Sequence, residues 1–298
     1  MKRIWEQNFT LVGRIKKALG FVESVTDEML ATWVELLYDS CTMCGRCSMV
    51  CPVGVDIAYM VRKAREGMVA AGHVPEGLIE ASRRAIRTGS PMGLQWPTLQ
   101  AQINRLEKAG VQIPIDQAGA DYMVLLSSME VISFPEYLGA IAKIFKQAKV
   151  RWTLSTTCFE ATNAGIQIGS SDIARELVNR IVKAAEHLKV SCVIGPECGH
   201  AFTALRWEGP NLIGRPYPFK VLHIIELLDQ LRADGKLKTQ GLESDRLTLH
   251  DPCNLARKSG CVEPQRRLMG LVAENFIEMT EQGKLNWCCG AGGGGQQQ

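Results

Sequence analysis

Apolar positions along this chain follow two different periods. From Val25-Thr26-Asp27-Glu28 onward, Leu30, Trp33, Val34 and Leu37 fall at helical spacing, and residues 1–40 read as helix. Ala58 to Ala71 continues the pattern, with Arg62, Lys63 and Arg65 expected on its polar side, and Leu78 to Arg87 forms another helix. The period then shortens. Tyr122-Met123-Val124-Leu125-Leu126 reads as a buried strand, followed by a helix from Pro135 to Lys149 and a strand Arg151-Trp152-Thr153-Leu154. A helix from Asp172 to Leu188 and a strand Cys192-Val193-Ile194 complete one half. The second half repeats the alternation with a helix Lys220 to Leu231, a strand Arg246 to Leu249, a helix Gln265 to Phe276 and a strand Ile277 to Thr280.

Strands alternating with helices predict parallel sheets covered on both faces. The expected fold is therefore α/β, with a helical N-terminal domain over residues 1–95 and a duplicated α/β domain over residues 112–298. The stretch Thr88-Gly89-Ser90-Pro91-Met92-Gly93 and Trp96-Pro97 punctuates the chain between them. In such folds ligands gather beyond the carboxyl ends of the strands. Cys198 and Cys253 stand at such ends.

Length and composition narrow the chemistry. A chain of 298 residues, 46% hydrophobic, can bury a large core and is long enough for about two domains. A net charge of +3 and 6% aromatic residues argue against a nucleic-acid partner. No long apolar segment opens the N-terminus and none approaches bilayer-spanning length, so the expectation is a cytoplasmic chain. There disulfides rarely persist, and eleven cysteines are better read as metal ligands or redox groups.

The cysteines fall into two groups. Cys41-x2-Cys44-x2-Cys47-x3-Cys51-Pro52 has the tight spacing that lets one loop wrap an iron–sulfur cubane, each thiolate on a different iron. Zinc sites usually carry two CxxC pairs set farther apart. In two-cluster ferredoxins the fourth cysteine of this run serves the other cluster, so Cys51 either completes its own cluster or yields that place to a remote residue. The second group is Cys253, in Leu249-His250-Asp251-Pro252-Cys253-Asn254, with Cys288 and Cys289, in Trp287-Cys288-Cys289-Gly290. Adjacent cysteines suit one disulfide poorly and a multinuclear centre well. The glycines after them, Gly292 to Gly295, allow close backbone approach. Cys198, in Pro196-Glu197-Cys198-Gly199-His200, is either a further ligand or a pocket wall. His200 and His250 are candidates for proton delivery. Cys192 reads as core, Cys158 as core or ligand, and Cys261 as a loop residue or partial ligand. Arg257 and Lys258 read as a solvated face or as steering groups for an anion.

These stretches, with Thr88 to Gly93 and His250 to Arg257, resemble the cysteine-rich "CCG" family of heterodisulfide reductase catalytic subunits. Within it they most resemble the branch of iron–sulfur subunits of membrane redox complexes associated with dissimilatory sulfite reductase. The resemblance runs from about Trp33 to Gly295. It implies a ferredoxin-type [4Fe–4S] cluster at Cys41 to Cys51. It also implies a second [4Fe–4S] cluster at the CCG site, non-cubane in related enzymes, that reduces a disulfide or related sulfur bond in two one-electron steps. The implied partners are a haem-containing, quinol-oxidising membrane subunit, other iron–sulfur subunits and a small sulfur-carrier protein as substrate. The implied location is the cytoplasmic side of the inner membrane, held there through a partner. Two departures bear on the ligand set. The family usually has two ferredoxin runs where this chain shows one, and its motif continues to a CxxC pair beyond the glycine, ahead of which this sequence stops at Gln298. The second cluster is therefore expected to be completed differently or from residues past Gln298. Competing readings are a non-catalytic electron-transfer subunit, the iron–sulfur subunit of glycolate or lactate oxidation, and a zinc-only structural protein.

Overall fold

Side-chain caps define the first helices. Thr10 accepts the Gly13 N–H to start α1 (Leu11–Ala18), and Thr26 accepts the Met29 N–H to start α2 (Asp27–Val34). The computed structural model describes residues 7–22, 25–196, 198–239 and 242–294. Beyond α2 the helix widens into a π turn over Glu35–Asp39 that buries Leu37 and Tyr38. A short α3 (Arg46–Val50) follows, then α4 (Ile57–Ala71), capped by Asp56 and closed by left-handed Gly72, and α5 (Glu76–Thr88), closed by left-handed Gly89. α6 (Trp96–Lys108), with Pro97 in its first turn, lies between the two regions in sequence but buries Leu99 and Ile103 in the α/β core.

The main sheet has four parallel strands in the order β2-β1-β3-β4: β1 (Tyr122–Val124), β2 (Trp152–Thr153), β3 (Cys192–Gly195) and β4 (Lys220–His223). Tyr122 pairs with both Trp152 and Cys192, and Gly195 pairs with His223. Between β1 and β2 run α7 (Ser128–Ile132) and α8 (Glu136–Ala148). α9 (Ala164–Ile168) and α10 (Ser171–Leu188) lead to β3. α11 (Gly199–Thr203), a π turn (Ala204–Glu208) and α12 (Gly209–Ile213) lead to β4. Side chains alternate across the sheet as its pleat requires. Val124, Leu126, Cys192 and Ile194 join Phe145 and Leu154 on one face, while Met123, Leu125 and Val193 join Val182 and Phe202 on the other. Each such Leu, Ile or Phe contributes about 1.5–3 kcal/mol by leaving water.

The second half departs from the expected pattern. Lys220 to Leu231 is not one helix. Lys220–His223 forms β4 against β3, and α13 (Ile224–Ala233) begins only after it. The boundary is chemical: the His223 ring caps the helix while Glu226 accepts the His223 N–H in return. Next come β5 (Glu243–Leu247), α14 (Glu263–Val272) and β6 (Ala273–Phe276). β5 and β6 make a separate parallel pair. Pairing of Leu247 with Phe276 fixes its register, so the strand takes the last residues assigned to the helix and Ile277 to Thr280 lies beyond it. Among the described residues no helix is long and apolar enough to cross a membrane.

Candidate metal centres at the seam between the helical and α/β regions

The loop from Cys41 to Cys51 turns through two left-handed residues, Met43 (φ 53°) and Gly45 (φ 80°). A non-glycine residue held there stores about 1 kcal/mol or more, which the surrounding contacts must offset. The turn aims the Met43 N–H at Cys41 Sγ, 3.4 Å away. The Val55, Val53 and Gly54 backbone N–H groups hold the Cys51 thiol below its ordinary pKa. Backbone donors aimed at sulfur favour thiolate. Cys47 is exposed; Cys41, Cys44 and Cys51 are half-buried.

The second loop is set by Asp251. Its buried carboxylate accepts both Arg266 N–H groups at 2.9 Å and the Gly283 N–H at 2.5 Å, and its own carbonyl accepts from Asn286 Nδ2. Burial raises the Asp251 pKa, but the Arg266 guanidinium and the Gly283 N–H outweigh it and leave the carboxyl below its usual range. This network pins the Cys253 strand end to the stretch that carries Cys288. His250 Nε2 meets the Trp287 carbonyl at 2.9 Å. Cys288 Sγ accepts the Gly290 N–H at 3.3 Å and sits 3.1 Å from Thr42 Oγ1 in the ferredoxin-type loop. Cys253 is buried. Its thiol is raised first by burial, then by the neighbouring charges of Cys288 and Cys44. Cys253, Cys288 and Cys44 therefore share one neighbourhood. Cys289 faces solvent.

Two arginines lock the loops together. The guanidinium of Arg65, which is 0% exposed, donates to the carbonyls of Leu37, Cys41, Gln167 and Gly293 and stacks on Tyr38 at 4.6 Å. No carboxylate is among these partners; the Cys41 sulfur supplies the opposing charge. This corrects the expected placement of Arg65 on the polar side of its helix. Arg257 is likewise buried, against the expectation of a solvated face. It donates to the Cys44 carbonyl at 2.8 Å, to the Lys284 carbonyl at 2.7 Å and to Asn286. Each arginine thus joins the carbonyl of one ferredoxin-loop cysteine to the segment around Cys288. Arg46 adds a third link, stacking on Trp287 at 3.7 Å and donating to the Leu285 carbonyl.

The glycine run makes this approach possible. A Cβ on Gly293 would collide with the Thr42 backbone, one on Gly292 with the His200 ring, and one on Gly294 with Leu78 at 2.7 Å. Gly199 likewise lets α11 approach Asn254 and Leu255. His200 is pushed down to about 4 by burial and by the positive charge of Lys258, so the ring is neutral near pH 7. Asn254 Nδ2 donates to His200 Nε2 at 2.8 Å and to Cys253 Sγ at 3.3 Å. His200, Asn254 and Lys258 line a cleft of about 500 Å³ that opens beside Met43 and Arg62. Lys258 is an exposed residue at this cleft. Cys198 packs against the α/β core, and Cys192 and Cys261 are buried in it.

A second cavity, of about 520 Å³, is lined by Cys41, Cys44, Cys47 and Cys288 together. Its donor set is all sulfur. Among the described residues no cysteine is joined in a disulfide. Among the described residues no three ligating side chains converge on a point that would hold a single ion. A multinuclear cluster, whose thiolates bind separate irons, makes no such demand, and the residues fit it. Cysteine spacing pointed to these candidate donors, whereas the contacts of Arg65, Thr42 and Asn254 carried no signal in the sequence.

Two family models match the stretches that carry these cysteines. A 4Fe-4S binding domain matches residues 34–55 and a cysteine-rich CCG domain matches residues 247–298. The chain is 25% identical over 341 residues to the Hdr-like menaquinol oxidoreductase iron-sulfur subunit of Archaeoglobus profundus, covering 99% of this chain and 61% of that one. It is 28% identical over 263 residues to a dihydromethanophenazine:CoB–CoM heterodisulfide reductase subunit of Methanosarcina acetivorans, covering 85% and 62%. It is 26% identical over 289 residues to the EtfAB:quinone oxidoreductase of Syntrophomonas wolfei, covering 91% and 40%. The chain therefore spans about 61% of the length of the first of these relatives. No solved structure matches.

Proposed function

We propose that this chain, which matches a 4Fe-4S binding domain and a cysteine-rich CCG domain and is similar to heterodisulfide-reductase-like subunits, carries two iron–sulfur clusters and relays electrons singly from a quinol-linked membrane partner to a sulfur–sulfur bond. Cys41, Cys44 and Cys47, with Cys51 as the fourth thiolate of the run, hold the ferredoxin-type cluster. Cys253, Cys288 and Cys289 hold the CCG cluster. The clusters, when bound, supply one-electron redox chemistry. Cys198 is left out of the ligand set because it packs against the α/β core. The observation that carries the proposal is the shared seam: Cys288 touches Thr42, and Cys253 senses the charge of both Cys288 and Cys44. The two cysteine loops would therefore hold their clusters as neighbours, and the clusters would supply the one-electron steps.

The chain's own residues divide the remaining work. Arg65 and Arg257 hold the loops in register, and Arg65 places positive charge beside Cys41. Asn254 donates to Cys253 Sγ, and neutral His200 orients Asn254 as its acceptor. His250, exposed and bonded to the Trp287 carbonyl, is the better placed of the two histidines to exchange a proton with solvent. The substrate is a disulfide or trisulfide of a small sulfur-carrier protein, as in dissimilatory sulfur metabolism. Exposed Cys47, with exposed Met49, Val50 and Val53 around it, suits electron entry from a docked iron–sulfur or haem-bearing subunit. A purely electron-relaying subunit is the second reading, favoured by the burial of Cys253.

Iron and sulfide quantification with EPR tests the proposal. Wild-type protein is expected to show two distinct paramagnetic centres, and Cys288→Ala to lose one of them together with disulfide reduction. Retention of both centres and of activity in Cys288→Ala and Cys289→Ala would remove these residues from the mechanism. A substrate-dependent paramagnetic state absent from the wild type, with both centres intact, selects the relay reading.

A further inference from the structure

The N-terminal segment presents a surface that the redox chemistry does not use. Successive helical residues step by about 100°, so Leu11, Val12, Ile15, Ala18 and Leu19 share a sector of about 120° around α1 and its cap. Leu11 is 76% exposed and Leu19 64%; Val12 and Ile15 are exposed as well, and so are Phe9 and Phe21 at the two ends. Leu11, Val12, Ile15, Leu19 and Phe21 join no buried core cluster among the described residues. Gly13, on the opposite side of the helix, is buried. The helix therefore turns its apolar stripe outward.

Charge identifies what covers it. Arg14 and Lys16 border the stripe on its two sides, and Lys17 follows. From Gln7 to Val22 there is no acidic residue. An apolar sector edged by cations and free of anions matches an anionic lipid surface. Leu, Ile and Phe enter the acyl boundary there, and the Arg and Lys stems extend to the headgroups. A partner groove of protein would more often add acidic residues on the helix for pairing, and none are present.

We propose that Phe9 to Phe21 is an interfacial anchor that lays this chain directly on an anionic membrane surface. The anchor goes beyond the attachment through a partner subunit expected from the family, and it holds whether or not the CCG centre reduces a sulfur bond. It is a weak anchor, because one short amphipathic segment gives reversible binding.

Vesicle flotation tests it with the full-length, cluster-loaded protein. The probes are vesicles of phosphatidylcholine alone and of phosphatidylcholine mixed with phosphatidylglycerol. The protein is expected to float with the mixed vesicles, to release at high salt, and to stay in the soluble fraction with phosphatidylcholine. Ile15→Glu with Leu19→Glu is expected to abolish flotation. Lys16→Glu with Lys17→Glu is expected to lower the bound fraction by about tenfold or more, since each cation is worth about fivefold. Ile132→Glu, an exposed apolar residue elsewhere, is expected to float normally. Three outcomes overturn the proposal: no flotation with either vesicle, equal flotation with both, or self-association through this face that Ile15→Glu reverses while vesicles are ignored. Cluster spectra of each variant separate loss of the anchor from loss of the redox centres.

Discussion

The cysteines of the seam and those of the α/β body are chemically the same residue in opposite surroundings. In the body, burial first, with nearby carboxylates adding to it, pushes Cys158 and Cys261 up to about 12 and Cys192 up to about 11, so all three stay protonated small hydrophobes. At the seam, backbone N–H groups aim at Cys41, Cys288 and Cys51, and a guanidinium stands beside Cys41. Cys253 belongs with the seam despite being buried: burial is the first cause that raises it, but the neighbouring sulfurs of Cys288 and Cys44 raise it further, and no such sulfurs surround the body cysteines. Burial therefore does not distinguish a ligand from a core thiol in this chain; the company of other sulfurs and of oriented donors does.

The contrast is sharpened first by removing sulfur. Cys44→Ala is expected to cost on the order of four irons per chain, whereas Cys192→Ala is expected to keep its full complement. Iron loss of equal size in Cys192→Ala would break the distinction. Next in size, Arg65→Met should lower stability by about 3–5 kcal/mol in urea unfolding, because four carbonyls lose a buried charged donor. Arg65→Lys should recover little, since an ammonium lacks the planar fork. The third effect concerns Glu160, whose carboxyl is raised from 4.5 to about 7, first by burial, although the hydroxyls of Ser128 and Ser90 oppose this. The folded state keeps that proton longer than the unfolded one. Its contribution is complete below about pH 4.5 and is lost as pH rises through about 7, a fall of up to about 3 kcal/mol. Glu160→Gln should flatten the pH dependence of urea midpoints over that range. The smallest test is kinetic. In folded, iron-free protein at pH 8, Cys158 and Cys261 should alkylate more slowly than Cys47 and Cys289 by on the order of 100-fold, read by peptide mass mapping.

Much of this arrangement was legible beforehand, and the reasons are local. The run from Cys41 to Pro52 and the alternation of strand and helix depend on near neighbours; the first lies within the matched 4Fe-4S binding domain and the second appears in the structure. The expectation that Gly292 to Gly295 would permit close approach holds at Gly292, Gly293 and Gly294 against His200, Thr42 and Leu78, while Gly295 lies outside the described residues. What stayed hidden depends on distant contacts. Arg65 occupies a position that helical periodicity assigns to solvent, and only the arrival of Gln167 and Gly293 from elsewhere in the chain encloses it. β4 was hidden for a related reason. Lys220 to Leu231 keeps helical spacing, and only pairing with Val193 and Ile194 converts its beginning to strand.

The reach of Arg65 also constrains how the protein is made. Its five hydrogen bonds end on segments around residues 37, 41, 167 and 293, so the cradle around Cys41 stays open until the segment around residue 293 has left the ribosome. Metal delivery to the first cysteine run is thereby tied to synthesis of the segment that carries Gly293, and a chain stopped before it would present its thiols unsealed to oxygen and to proteolysis.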